Sequence, residues 1–326
     1  MTERVRVASI GLGWWGKELA RGARNAGLDL VTGFARNPDS RRQFAEEMGC
    51  AAADSLESVL DDPSIEGVLI ATSNASHREL VEAAASAGKH VFVDKPLTLS
   101  VEDARACLRA AEDAGVVLQV GFQRRRHPAH RALKRLIEDG SIGDIETLEA
   151  NHSLPNRIAE GAWRWDAEQS PLGSMTSLGI HQIENFHYLA GPITRVAAMR
   201  RPGRSVTIDE AAAMVFEFDS GAMGILLSSF FTPWRIFLAV SGTEGMGVAD
   251  RDGSQLVFQK AGENQGVEVP LEPVDAVAEQ MADFANAIRN GSKPETGGPE
   301  GFAVVAVLEA ATKSADSGQV EEVERL

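Results

Sequence analysis

The segment Gly11-Leu12-Gly13-Trp14-Trp15-Gly16 places glycine at its first, third and sixth positions, directly after a short apolar run and directly before a helical stretch. This spacing suits a pyrophosphate. Gly11 permits a tight turn, Gly13 lets backbone N–H groups approach the anion, and Gly16 lets the helix pack close to the strand. The helix N-terminus then stabilises the negative charge. The spacing alone is common. With a strand before it and a helix after it, the segment is read as a dinucleotide-binding loop rather than a plain strand–turn–helix. At the end of the next strand an acid would favour NAD by accepting from the ribose hydroxyls. The sequence there is Gly33-Phe34-Ala35-Arg36-Asn37, with Ala35 at the acid position, and Arg41 and Arg42 lie one helical turn on. Without that carboxylate a 2′-phosphate meets no repulsion, and an arginine can pair with it. NADP is therefore preferred over NAD as the expected cofactor. The plainer alternative is that Arg36, Arg41 and Arg42 form a solvated surface.

The elements that carry these residues alternate. Short β-branched runs at Val5 to Ile10, Leu28 to Phe34, Gly67 to Ala71, His90 to Val93 and Val116 to Gly121 are separated by helical stretches that end at glycines such as Gly49 and Gly115. That rhythm predicts a doubly wound parallel sheet of Rossmann type, covered on both faces. After about residue 122 the strands become longer and alternate apolar with polar, and Asp219-Ser220-Gly221 reads as a hairpin turn between two of them. Two helices, near Val274 to Arg289 and Glu300 to Ala315, finish the chain. The expected fold class is α/β: an N-terminal Rossmann domain over 1–122, and a C-terminal α+β domain over 123–326 with a mostly antiparallel open sheet. The junction near Gly121 has no linker, so a cleft is expected there.

Composition sets the outer limits. The chain has 326 residues, 44% apolar and 24% charged, with 47 acidic and 32 basic side chains and a net charge of −15. Such a field repels phosphate polymers and anionic lipid on average, so neither nucleic acid nor membrane is an expected partner. No run approaches the roughly 20 apolar residues of a membrane helix, and residues 1–4 lead straight into a strand with no room for a signal peptide. Cys50 and Cys107 form neither a disulfide framework nor a metal motif. A cytoplasmic location and no metal are expected.

Further motifs follow the strands in order: Ala71-Thr72-Ser73-Asn74-Ala75-Ser76-His77, Val93-Asp94-Lys95-Pro96-Leu97, Gly121-Phe122-Gln123-Arg124-Arg125, Trp163-Arg164, and Gly173 to His181. Together they resemble the Gfo/Idh/MocA family of oxidoreductases, over essentially the whole chain. The Asp-Lys-Pro and Gly-Ile-His motifs are the specific parts. The resemblance implies a nicotinamide-dependent dehydrogenase or reductase moving a hydride between the cofactor and a sugar, cyclitol or related hydroxylated ring. It places the family's lysine at Lys95 and its histidine at His181. It also sets Trp14, Trp15, Thr72, Asn74, His77, Asp94, Lys95 and Gln123 beside the cofactor, together with Gly11, Gly13, Gly16, Arg36 and Arg41.

Alcohol oxidation requires a base that works near neutral pH, and imidazole suits that task. His181 would take the hydroxyl proton, and the Lys95 ammonium would stabilise the developing alkoxide. Read alone, Lys95 would be a surface turn lysine and His181 a packing histidine. The motif set reverses both readings. Thr72 and Asn74 could instead cap the helix that begins near Ser76. One departure is serious. Where the family usually has Asp, four residues before the histidine, Ser177 stands, and Glu184 replaces a second usual Asp. On a regular helix Ser177, His181, Glu184 and Tyr188 would share one face. Ser177, Arg124, Trp163, Arg164 and Glu184 are the expected substrate contacts, with His152 and Asn156 weaker ones. The cluster Arg124, Arg125, Arg126, Arg131, Lys134 and Arg135 otherwise reads as a solvated helix face. Trp163 could wall a sugar ring or simply pack its loop. Two alternatives remain open: a dihydrodiol-type dehydrogenase or carbonyl reductase on a non-sugar substrate, motivated by Ser177, and a nucleotide sensor without turnover. A sheet face left uncovered by helices predicts a homodimer or homotetramer.

Overall fold

In the computed structural model, residues 4–155, 161–203 and 207–326 are described; Asn156 lies outside them. Contacts divide the chain into two compact units: Met1–Gln123 with Asp275–Phe302, and Arg124–Val274 with Ala303–Leu326.

The first unit holds β1 (Arg6–Ile10), α1 (Trp14–Asn25), β2 (Asp29–Phe34), α2 (Pro38–Met48), β3 (Ala51–Ala52), α3 (Leu56–Leu60), β4 (Gly67–Ile70), α4 (His77–Ser86), β5 (His90–Asp94), α5 (Val101–Ala114) and β6 (Leu118–Gly121). The strand order is β3-β2-β1-β4-β5-β6, and every pairing is parallel. β4 is buried along its whole length, as a strand covered on both faces must be. Local chemistry ends the helices. Asn37 caps α2 through the N–H groups of Asp39 and Ser40, and Gly49 closes it at φ 57°. Ser100 caps α5, and Gly115 closes it at φ 65°. The strand order reverses between β1 and β4, which makes their C-terminal ends the expected ligand crevice.

This unit is completed from far along the chain. Helix α8, numbered in chain order (Ala276–Asn290), lies on α1, and Gly22 makes the approach possible because a Cβ there would strike Val277. Phe284 meets Phe92 edge-on at 6.0 Å. Thr296 donates to the Val120 carbonyl at 2.8 Å and its own carbonyl accepts from the Val120 N–H at 2.7 Å.

The second unit holds α6 (Pro128–Glu138), β7 (Ile145–Ser153), α7 (Ile180–Ala190), β8 (Ile193–Pro202), β9 (Asp209–Phe218), β10 (Met223–Ser229), β11 (Arg235–Gly242), β12 (Gly245–Asp250), β13 (Gln255–Lys260), β14 (Val267–Glu268), most of α9 (Gly298–Ser317) and β15 (Glu321–Glu322). Its nine strands run β14-β13-β12-β11-β7-β10-β9-β8-β15. Only the β7–β10 pair is parallel; the rest are antiparallel. The sheet is therefore mostly antiparallel, and the turn at 219–221 joins β9 to β10 with Gly221 at φ 89°. Helix α7 covers one face: Phe186 meets Phe216 at 5.7 Å and Phe218 at 6.0 Å, both edge-on. Alternate residues on the other face, Val215, Met223, Ile225 and Leu227, are exposed. Among the described residues no helix is long and apolar enough to cross a membrane.

Candidate active site

In the first unit, two of the three motif glycines leave no room for a side chain. Gly11 sits at φ +91°, where a Cβ would run into the Ala71 carbonyl. A Cβ at Gly16 would run into the Gly11 carbonyl. At Gly13 a Cβ would meet nothing, so packing within the protein does not demand glycine there. The open space above Gly13 fits a backbone approach by a ligand. No side chain caps α1, and no acid stands in its first turn. Its leading N–H groups and positive dipole end are thus left for an anion. The buried Gln123 Oε1 has no hydrogen-bond partner among the described residues. These residues fit a dinucleotide.

Trp14 is 74% exposed at this helix start. Trp15 reaches instead to the end of β5, where its indole N–H donates to Asp94 Oδ1 at 2.8 Å. Since β4 lies between β1 and β5, this bond spans the C-terminal edge of the sheet and ties the glycine loop to the Asp-Lys-Pro turn. Burial raises the pKa of Asp94, against the pull of the Lys95 charge, the Lys95 backbone N–H and the indole bond. The Lys95–Pro96 peptide is cis. His77 donates from Nδ1 to the Pro96 carbonyl at 2.8 Å, and burial lowers its pKa, so it braces the turn as a neutral ring. Lys95 is half-buried on that turn.

The residue at the N-cap of α4 is Ser76, whose side chain makes no capping bond. The Ser76 hydroxyl lies 2.8 Å from Thr72 Oγ1, and Asn74 is buried. At the end of β2, Arg41 donates to the Ala35 carbonyl at 2.9 Å and lies 5.8 Å over the Phe34 ring. Arg42 pairs with Asp39. Arg36 is exposed, and no described carboxylate pairs with it.

In the second unit, His181 and His152 are both buried and their rings stack at 5.9 Å, 27° from parallel. His181 opens α7, and His152 stands near the end of β7. Ser228 holds the surroundings together, with its Oγ 2.9 Å from the His152 carbonyl and 3.0 Å from that of Ser174. Ser177 stands on a π-helical turn rather than on a regular α-helix. Residues Met175–Gly179 make a π-helical turn before α7, so four-residue α spacing does not carry across from Ser177 to His181. Gly179 is needed where this turn crowds Met175 and Ser228.

The basic cluster is only in part a solvated face: Arg135 is exposed and Arg124, Arg131 and Lys134 are half-buried. Arg125 and Arg126 are 7% and 5% exposed. Arg125 Nε donates to Glu184 Oε1 at 2.7 Å. Arg124 pairs with Asp252, and burial lowers its pKa to about 10. Both carboxylates lie far along the chain, so nothing local in the sequence announced these pairs. Trp163 is half-buried, and the Arg164 guanidinium lies 4.3 Å over its ring. Among the described residues no cluster of three or more histidines, cysteines or carboxylates could hold a metal.

A parallel sheet with a glycine-rich crossing at its switch point, an Asp-Lys-Pro turn tied to that crossing, and a second unit with a buried histidine pair define a dinucleotide-dependent oxidoreductase. The comparisons agree. Residues 5–122 match the oxidoreductase family model with the NAD-binding Rossmann fold, and 130–248 match the Gfo/Idh/MocA C-terminal domain. The chain belongs to the Gfo/Idh/MocA family. It is 29% identical to a 1,5-anhydro-D-fructose reductase of Ensifer adhaerens, over 98% of both chains. It is 30% identical to a D-xylose 1-dehydrogenase (NADP(+)) of Haloferax volcanii (86% and 87% covered) and to a scyllo-inositol 2-dehydrogenase (NAD(+)) of Bacillus subtilis (90% and 89%). Levoglucosan dehydrogenase in complex with NADH shares the fold, with TM-score 0.92 at 24% identity, covering 99% of this chain and 100% of that one.

Proposed function

We propose that this protein is a dehydrogenase or reductase of a sugar or cyclitol that prefers NADP(H), with Lys95 and His181 as its catalytic residues. The observation that carries the reading is the 2.8 Å bond from Trp15 to Asp94, which fixes the turn bearing Lys95 to the dinucleotide loop. Relatives across nearly the whole chain act on anhydrofructose, xylose and inositol by name.

When bound, the nicotinamide supplies the hydride acceptor or donor. The chain's own residues handle the proton and the charge. The Lys95 ammonium donates a hydrogen bond to the reacting oxygen and stabilises its alkoxide character. His181 removes the hydroxyl proton in oxidation and returns it in reduction, a role worth roughly 10²–10⁴ in rate. Asp94, held by Trp15, positions the turn. Exposed Arg36 meets the 2′-phosphate, while Arg41 is held at the strand end by the Ala35 carbonyl. Asn74 and Gln123 line the cofactor side, with fully buried His77 bracing the Lys95 turn behind it, and Ser177, Trp163 and Arg164 line the substrate side. The protein works in the cytoplasm as a homo-oligomer.

The test is a turnover panel read at the nicotinamide absorbance. It pairs D-xylose, scyllo-inositol and levoglucosan with NADP or NAD, and 1,5-anhydro-D-fructose with NADPH or NADH. Turnover of at least one, lost at least a hundredfold in both Lys95→Ala and His181→Ala while NADP still binds, is the expected result. Tight cofactor binding with no turnover on any member would favour a sensor instead.

A further inference from the structure

Glu184 follows His181 by three residues on α7, and its side chain is 1% exposed. Its carboxylate receives the Arg125 Nε at 2.7 Å, and Arg125 Nη2 donates to the same oxygen. Taking both charges out of water is costly, so such a pair is poor evidence of stability, but its geometry is demanding. The same guanidinium lies 4.6 Å from the centre of the Tyr188 ring, one turn beyond Glu184. Arg131 donates to the Tyr188 hydroxyl at 3.1 Å, and Lys134 Nζ sits 5.5 Å from that ring. The stretch from Arg125 to Lys134 thus grips two successive turns of α7 just after His181. Before His181 lies the π-helical turn Met175–Gly179. A continuous α-helical ladder therefore does not set the rotation of α7 from that side.

We propose that Arg125 and Glu184 are positioning residues for His181: their buried ion pair fixes the rotation of α7 and so the aim of the imidazole. Glu184 then acts through the helix rather than as a substrate ligand. The proposal rests on the reading of His181 as the proton-transfer residue, and the experiment separates the two. His181→Ala tests that reading alone. Glu184→Gln and Arg125→Met are then assayed with the panel substrate of highest kcat/KM. Each lowers kcat tenfold or more and leaves KM within threefold, because a lost substrate contact would instead raise KM. In the His181→Ala background Glu184→Gln has no further effect, the non-additivity of residues acting through one group. Arg125→Lys, which keeps the charge and loses the two-nitrogen grip, recovers part of kcat. Should the neutral variants fail to fold, Arg125→Lys decides by its own kcat at unchanged KM. The His181 ring proton resonance, assigned by its loss in His181→Ala, moves in each variant and needs no substrate. Unchanged kcat, a rise in KM alone, an equal loss in the His181→Ala background, or an unmoved ring resonance would overturn the proposal.

Discussion

The imidazoles of His152 and His181 stack 5.9 Å apart, although 29 positions separate them and they come from different elements. An aromatic contact of this kind contributes roughly 0.5–1.5 kcal/mol beyond buried area, and about 1.4 kcal/mol corresponds to a factor of ten in rate. His152→Ala is therefore expected to lower kcat about tenfold, by loosening the His181 ring. His152→Phe keeps a flat ring in the stack and is expected to stay within about threefold of the parent. Steady-state kinetics of the two variants check this; equal losses would mean that His152 matters for its nitrogens rather than its plane.

The proposed preference for NADP rests on one side chain. Arg36 is the arginine at the end of β2 that neither a described carboxylate nor the strand end holds, whereas Arg41 is committed to the Ala35 carbonyl. A charge-assisted bond to a phosphate is worth about 1.5–3 kcal/mol. Arg36→Ala is expected to weaken NADP binding by about tenfold or more and leave NAD within twofold, as titration calorimetry would show. An equal effect on both dinucleotides would move the 2′-phosphate contact elsewhere.

Much of this was legible in the chain because it depends on local chemistry. Glycine at 11 and 16, the helix-ending Gly49 and Gly115, and the alternating strands β9 and β10 each state their geometry within a few residues. The second unit's candidate residues were less legible. The π-helical turn at Met175–Gly179 carries no composition that separates it from an α-helix, so Ser177 was read onto a regular helix. Arg124 and Arg125 looked solvated because their partners, Asp252 and Glu184, lie 128 and 59 positions away. The return of α8 to the first sheet is likewise a matter of tertiary packing, visible only once Val277 meets Gly22.

Acid should loosen the second unit through its buried histidines. Burial holds His127 at about pKa 3 and His130 and His187 at about 4, against an ordinary 6.5. His127 donates from Nδ1 to the Asp252 carbonyl, and His130 to that of Arg124, both at 2.7 Å. In the unfolded chain these rings take up protons as pH falls through about 6.5; in the folded protein they do not until pH 4 or below. Their stabilisation is complete above about pH 6.5 and declines as pH drops toward 4. Each ring is expected to cost on the order of 1–2 kcal/mol by pH 5. Urea unfolding between pH 7.5 and 5 measures the slope, and His130→Asn, which can still donate to the Arg124 carbonyl, should flatten it.

The uncovered sheet face makes the last prediction. Ile225 pairs with Val215 across β10 and β9, and Leu227 with Ala213, which in turn faces Met199 on β8. Met199 is 78% exposed and Ile225 50%. A contiguous apolar stripe of this kind on a folded protein usually meets a partner, and a two-fold interface lets the same stripe serve both copies. The protein is expected to be a dimer or tetramer at micromolar concentration by light scattering. Ile225→Glu places a charge in the middle of the stripe without touching the buried face, and should shift the population toward monomer while dinucleotide binding persists. A parent protein that runs as a monomer, or a variant whose mass does not change, would show that this face is solvated in its own right.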